Sequence, residues 1–138
     1  MKSLGFLYLF VAVFICGPIT QLYAADDKAA REICIKETKL TPADANLVRG
    51  AAVISKLIQN EPEALKCFRL CYYKELGLID AAGKTNAPKI LEYMMQVSGV
   101  SDKTRLASAL GACESVKGTS NCDKWYQFEK CALAKLGA

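Results

Sequence analysis

The chain has 138 residues, a size that fits one domain, and carries 18 Lys and Arg against 14 Asp and Glu, a balance of +4. It has seven Cys and no His. The missing imidazole excludes Ser-His-Asp and Cys-His catalysis and Cys2His2 zinc fingers. The weak, dispersed positive charge excludes a nucleic-acid footprint, and the lack of long charge runs or low-complexity tracts argues against disorder.

Residues 1–24 differ from the rest. Lys2 is the only charge before Asp26, an apolar run extends from Leu4 to Cys16, and Ala24 and Ala25 precede the first acids. A basic start, about a dozen apolar residues and a small-residue site form a secretory signal peptide. The run is shorter than the roughly 20 apolar residues that a retained membrane anchor needs. Cleavage is expected after Ala24. Loss of these 24 residues leaves 25–138, 114 residues with a balance of +3, as one helical domain. Cys16 leaves with the leader, so six cysteines remain: Cys34, Cys67, Cys71, Cys113, Cys122 and Cys131. An even count in a small secreted chain implies three disulfides and no metal site. The later apolar stretches are too short to span a bilayer, so a soluble, extracellular protein is expected.

The mature pattern is helical throughout, with about six short helices and no strand alternation. The first helix is expected over about Asp26–Lys39, its acids at the favoured end. Thr41-Pro42-Ala43-Asp44 restarts the chain as N-cap, first position and first turn, and that helix reaches Gly50. Val53, Ile54, Leu57 and Ile58 form a stripe that either continues it or makes a separate turn. Asn60-Glu61-Pro62-Glu63 is the next start signal, and Gly77 the stop. Leu65, Phe68, Tyr72 and Leu76 share a narrow arc of that helix. A turn over Asp80–Lys84 leads to a helix capped by Asn86 and stopped by Gly99, with Ile90, Tyr93, Met94 and Val97 on one face. Ser101 is expected to cap a long helix to about Val116, carrying Leu106, Ala109, Leu110 and Cys113. Gly118 follows. Ser120 and Asp123 then cap the last helix, whose inner face carries Trp125, Phe128, Ala132 and Leu136.

The cysteine spacing is C-x32-C-x3-C-x41-C-x8-C-x8-C. Cys67 and Cys71 stand four apart on one helix, with Cβ atoms about 6 Å apart, against about 3.8 Å in a disulfide. They should therefore bond to other elements, which removes three of the fifteen connectivities. Cys122 and Cys131 are nine apart on the last helix, about 180° of rotation, and should tie it to two neighbours. The remaining connectivities stay open on geometry alone.

The signal peptide, the C-x3-C pair within Glu63–Cys71 and the closing C-x8-C pair carry a resemblance, joined by Gly77-Leu78-Ile79-Asp80 and Gly83-Lys84. The chain resembles the insect odorant-binding proteins of the six-cysteine, general-odorant and pheromone-binding type, over the whole mature length. Its first interval of 32 residues is longer than usual there, and the excess is expected in Ala51–Gln59. The resemblance implies an all-α bundle of about six helices around an apolar cavity. It also implies the interlocked pairing Cys34–Cys71, Cys67–Cys122 and Cys113–Cys131.

The expected function is a secreted, non-enzymatic carrier of small lipophilic molecules such as odorants or pheromones, with membrane odorant receptors as candidate partners. No nucleic acid, cofactor or catalytic residue is expected, and the state is monomer or weak homodimer. The candidate ligand-binding residues are Leu65, Phe68, Tyr72, Ile90, Met94, Val97, Leu106, Leu110, Trp125, Phe128 and Leu136, bulky and apolar, each equally compatible with plain core. Tyr72, Tyr93 or Tyr126 would donate one directional hydrogen bond, although Tyr93 and Tyr126 read more simply as amphipathic surface. The lysines read as a solvated face. The seven residues after Cys131 are expected to finish the last helix, too few for a separate ligand-displacing helix. A membrane-active toxin, which wants a concentrated basic face, and a same-fold carrier outside olfaction are the alternatives.

Overall fold

The computed structural model describes residues 19–54 and 61–137, with side chains from Asp27 onward in the first helix. The expected leader up to residue 18, and Leu57, Ile58 and Asn60, lie outside the described residues. Six helices follow one another: α1 Ile19–Glu37, α2 Pro42–Gly50, α3 Glu63–Glu75, α4 Ala87–Ser98, α5 Lys103–Ala112 and α6 Asn121–Leu136. None of them is long and apolar enough to cross a membrane.

The capping chemistry explains most boundaries. Thr41 accepts from the Asp44 amide, with Pro42 in the first turn. Asn86 accepts from the Lys89 amide, and Ser120 from the Asp123 amide. Gly77 and Gly99 take the left-handed backbone, φ 77° and 72°, that ends α3 and α4. Five boundaries differ from the sequence expectation. α1 begins earlier, at Ile19, and runs through Ala24–Ala25. It stops at Glu37 because Lys39 itself adopts φ 51° and breaks the helix. α3 starts behind Pro62 without a side-chain cap. Asp102, not Ser101, caps α5, because its carboxylate accepts from both the Thr104 and Arg105 amides. α5 also ends at Ala112 rather than near Val116: Cys113 and Val116 close three-residue turns onto Leu110 and Cys113. Gly118 therefore terminates no helix. It lets the chain pass close over the start of α6, where a Cβ would lie 2.3 Å from the Lys124 nitrogen. The α2 pattern does not extend as α-helix beyond Gly50, although Ile54 is fully buried.

α3 and α6 pack against each other at the centre. α1 covers α3, α5 covers α6, α4 leans on α5, and α2 on α1. The disulfides join Cys34 of α1 to Cys71 of α3, Cys67 of α3 to Cys122 of α6, and Cys113 after α5 to Cys131 of α6. These are the pairs the resemblance implies. They also place Cys67 and Cys71, and Cys122 and Cys131, on separate partners.

Between α3 and α4 the chain makes a tight excursion over residues 77–86. Ile79 bridges Thr85, the Asp80 amide bonds the Lys84 carbonyl at 2.9 Å, and the Asn86 amide bonds Leu78 at 2.9 Å. This holds the apolar pair Leu78 and Ile79 against the bundle, where both are buried.

Candidate functional site

A cavity of about 40 Å³ lies where α3, the 77–86 loop, α4, α5 and α6 meet. α3 contributes Tyr73, the loop Leu78 and Ile79, and α4 Ile90, Tyr93 and Met94. α5 contributes Leu110, and α6 Trp125, Phe128, Glu129 and Ala132. The wall is apolar except for the two tyrosines and Glu129. Trp125 and Phe128 meet edge to face at 5.6 Å, and Tyr73 meets Tyr93 likewise at 5.8 Å.

Five of the eleven candidates expected from the sequence, Ile90, Met94, Leu110, Trp125 and Phe128, therefore stand on this cavity. Six do not. Leu65, Phe68, Tyr72, Leu106 and Leu136 are buried in solid core, and Val97 is half-buried at its edge. The arc of Leu65, Phe68 and Tyr72 is real, but none of the three lines the cavity, and Tyr72 bonds to α1. Phe68 stacks near Tyr72 at 6.1 Å, and the Tyr72 hydroxyl donates to Asp27. α3 is buried on several sides at once, so its cavity face is reached one residue further round, at Tyr73. Leu78 and Ile79 enter the sequence reading only within the Gly77–Asp80 stretch of the resemblance; two adjacent apolar residues beside Gly77 are the available signal. Tyr93 and Tyr126, read as surface, are 6% and 3% exposed. Tyr126 lies under Lys66, whose ammonium is 4.7 Å from the ring centre. Lys66 departs from the solvated set by pairing with buried Asp123 at 2.7 Å.

The cavity ends on a buried ionic cluster that sequence patterning did not reveal. Arg69 is 2% exposed. Its Nε and Nη2 donate to the two oxygens of Glu61, both at 2.7 Å, and its Nη1 donates to Glu129 Oε1 at 2.8 Å. The Tyr73 hydroxyl donates to Glu129 Oε2. Both oxygens of both carboxylates thus accept donors, the arrangement suited to their ionised forms. Burial opposes the Arg69 charge, but the Glu61 hydrogen bond and the Glu129 carboxylate outweigh it and raise its pKa. Burial, with the adjacent Glu129 charge, pushes the Tyr73 hydroxyl well above its ordinary value, so it remains a donor. Burial, with the nearby Tyr93 and the Asp27 hydrogen bond, raises Tyr72 in the same direction. Across α1, Arg31 pairs with Asp27 at 3.1 Å and donates to the Val48 carbonyl at 3.0 Å. Its further bond to the Ala52 carbonyl at 3.4 Å holds the chain just beyond α2, away from the cavity.

Among the described residues, two groups bring three potential ligand atoms within 4.8 Å of one another: Cys34, Glu37 and Cys71, and Glu63, Cys67 and Cys122. In each, both sulfurs are spent in one disulfide, so neither supplies the thiolate a metal would require. The arrangement is suited to enclosing apolar matter, with a hydroxyl and a buried charge cluster at its inner end.

Residues 20–135 match the PBP/GOBP family. The chain is 31% identical over 104 residues to general odorant-binding protein 56a of Drosophila melanogaster, covering 75% of this chain and 68% of that protein. It is 26% identical over 110 residues to general odorant-binding protein 69a of the same fly, covering 80% and 70%. The fold is similar to that of a solved structure, the fatty acid binding protein OBP56a from the oral disk of the blowfly Phormia regina. That similarity has a TM-score of 0.66, with 24% identity, and covers 83% of this chain and 91% of that one.

Proposed function

The chain belongs to the PBP/GOBP family of small-ligand carriers, and on that premise we propose that it is a secreted carrier that takes up a small lipophilic molecule in the cavity between α3 and α6. The observation that carries the reading is the cavity wall: four helices and a loop converge to enclose apolar side chains around a void. Each buried CH2 of a ligand gains about 0.8 kcal/mol there. The ligand class is odorants, pheromones or fatty-acid-like molecules; the blowfly relative is named for fatty acid binding, and that supports the last of these. Residues 1–24 act as the leader, leaving Ala25 as the first residue of the secreted form, which N-terminal sequencing checks.

The void holds only about three waters as it stands, since one water needs roughly 10–15 Å³ of such space. Uptake therefore moves wall side chains. Met94, with three rotatable bonds, and the half-exposed Trp125 and Phe128 are the adaptable ones. The test is displacement of the lipophilic probe N-phenyl-1-naphthylamine by a panel of alcohols, esters, ketones and fatty acids. Emission from Trp125, the single tryptophan, is followed alongside. The expected result is displacement by at least one chemical class with a change in Trp125 emission. A panel that displaces nothing and leaves Trp125 unchanged overturns the reading.

A further inference from the structure

The cavity wall is not uniform in depth. Tyr73, Leu78, Ile79, Tyr93, Met94 and Glu129 are all buried. Ile90, Leu110, Trp125 and Phe128 are half-buried, and these same four side chains also form the floor of a second, open groove of about 360 Å³. Each of the four thus turns one side to the cavity and the other to the groove. They are the partition between inside and outside.

The two ends differ in charge. At the inner end the Glu129 carboxylate, paired with Arg69, stands on the cavity wall. The outer groove is bordered by exposed Lys84 and Lys124, against the single acid Glu114, a balance of +1. The Lys124 ammonium already sits 5.9 Å from the centre of the Trp125 ring, directly over the partition. An anionic headgroup driven inward would meet the Glu129 carboxylate in a medium of low dielectric, where repulsion is strong. At the mouth it would meet two lysines and keep its water.

We propose that the outer groove is a headgroup site for carboxylate amphiphiles, which bind with the alkyl tail through the Ile90, Leu110, Trp125 and Phe128 partition and the carboxylate held outside by Lys84 and Lys124. This orientation rests on the cavity being the carrier site. It makes the inner end a selector for apolar tails and the rim a selector for charge.

The experiment compares dodecanoate with dodecan-1-ol, measured by probe displacement on the full secreted chain and on the variant K84E/K124E. Both positions are exposed, so the variant keeps its fold, which far-ultraviolet circular dichroism confirms. Wild type is expected to bind both ligands. Exposed ion pairs are individually weak, so replacing two attractive charges by two repulsive ones should weaken dodecanoate about tenfold. Dodecan-1-ol should stay within twofold. Raising the salt concentration should weaken only dodecanoate, and only in wild type. Unchanged dodecanoate affinity in the variant places the carboxylate elsewhere and overturns the proposal. Equal weakening of both ligands shows a shape effect and overturns it too. If neither ligand binds wild type and no other displaces the probe, the carrier reading itself fails.

Discussion

Replacing Arg69 by Met tests the buried cluster directly. The guanidinium is 2% exposed and each carboxylate partner 7%. Methionine fills similar space but leaves Glu61 and Glu129 facing each other without a cation. Removing one partner of a buried ion pair costs about 3–5 kcal/mol, because the remaining charge is stranded. For a domain near this size that corresponds to roughly 10–25 °C in Tm. The cheaper course for a stranded carboxylate is to take up a proton. Native R69M then holds a proton that wild type lacks and that the unfolded chain has released at neutral pH. A group protonated in the folded state above its unfolded value adds stability at low pH and loses it as pH rises. The R69M deficit should therefore shrink on going from pH 7.5 to pH 5.5, by up to about 2.7 kcal/mol for one proton. Urea denaturation at both pH values, with disulfides intact, measures this. R69K, which keeps a charge but not the two-pronged geometry, should lose less and show no such narrowing. A deficit below about 1 kcal/mol at pH 7.5, or one equal at both pH values, would refute the account of the cluster as an ionised, paired unit.

Phe68→Ala empties fully buried core next to Tyr72 and should cost about 3–5 kcal/mol in urea denaturation. Because Phe68 does not line the cavity, dodecan-1-ol affinity should change less than threefold wherever the variant remains folded; a selective loss of binding would return Phe68 to the site. Asp123 is held down at about 2 by the Lys66 hydrogen bond first and the Thr119 amide second. A depressed carboxyl stabilises above its unfolded value near 4 and loses that contribution as pH falls toward 2. D123N should therefore be less stable than wild type at pH 7, with the gap closing by about pH 2; a gap independent of pH would contradict the pairing. With no His in the chain, and Tyr73 and Asp123 each fixed in one protonation state across the range, a neutral ligand should lose less than about tenfold in affinity between pH 7.5 and pH 5.5. A larger loss, read by the same displacement titration, would reveal a proton switch.

Much of the fold was legible because caps and stops act locally. Thr41 with Pro42, Asn86, Gly99 and Ser120 satisfy amides or supply dihedrals within a few residues, so sequence displays them. α5 shows the limit. Ser101 and Asp102 are adjacent cap residues, and only the chain's approach decides which carries the helix. The cavity was half legible for a related reason. Helical periodicity says that Phe68 and Tyr72 point inward, but not whether the inside at that point is filled by α1 or left open. Trp125 and Phe128 are half-buried on central α6, but Ile90 and Met94 lie on α4, a helix with one buried face, where inward and cavity-facing coincide. Tyr73 lies on a helix surrounded by neighbours, where they do not. The Arg69 cluster was invisible because its members, Glu61, Arg69 and Glu129, are brought together across 60 residues of sequence.

The cross-links also set where the molecule is stiff. They rivet α1 to α3, α3 to α6 and the end of α5 to α6. α4, which supplies Ile90, Tyr93 and Met94 to the cavity, has no cysteine. Mechanically it is a panel hung on a rigid frame, held by its packing on α5 and by the loops at its two ends. Compliance is therefore concentrated in one wall, and a guest larger than the present void gains its room by displacing that wall outward. Amide exchange along Ile90–Val97 should outpace that in α3 and α6, and a bound guest should slow it. The upper limit on guest length is then set by the travel of α4, while the cross-links govern only how firmly the opposite walls stay in place.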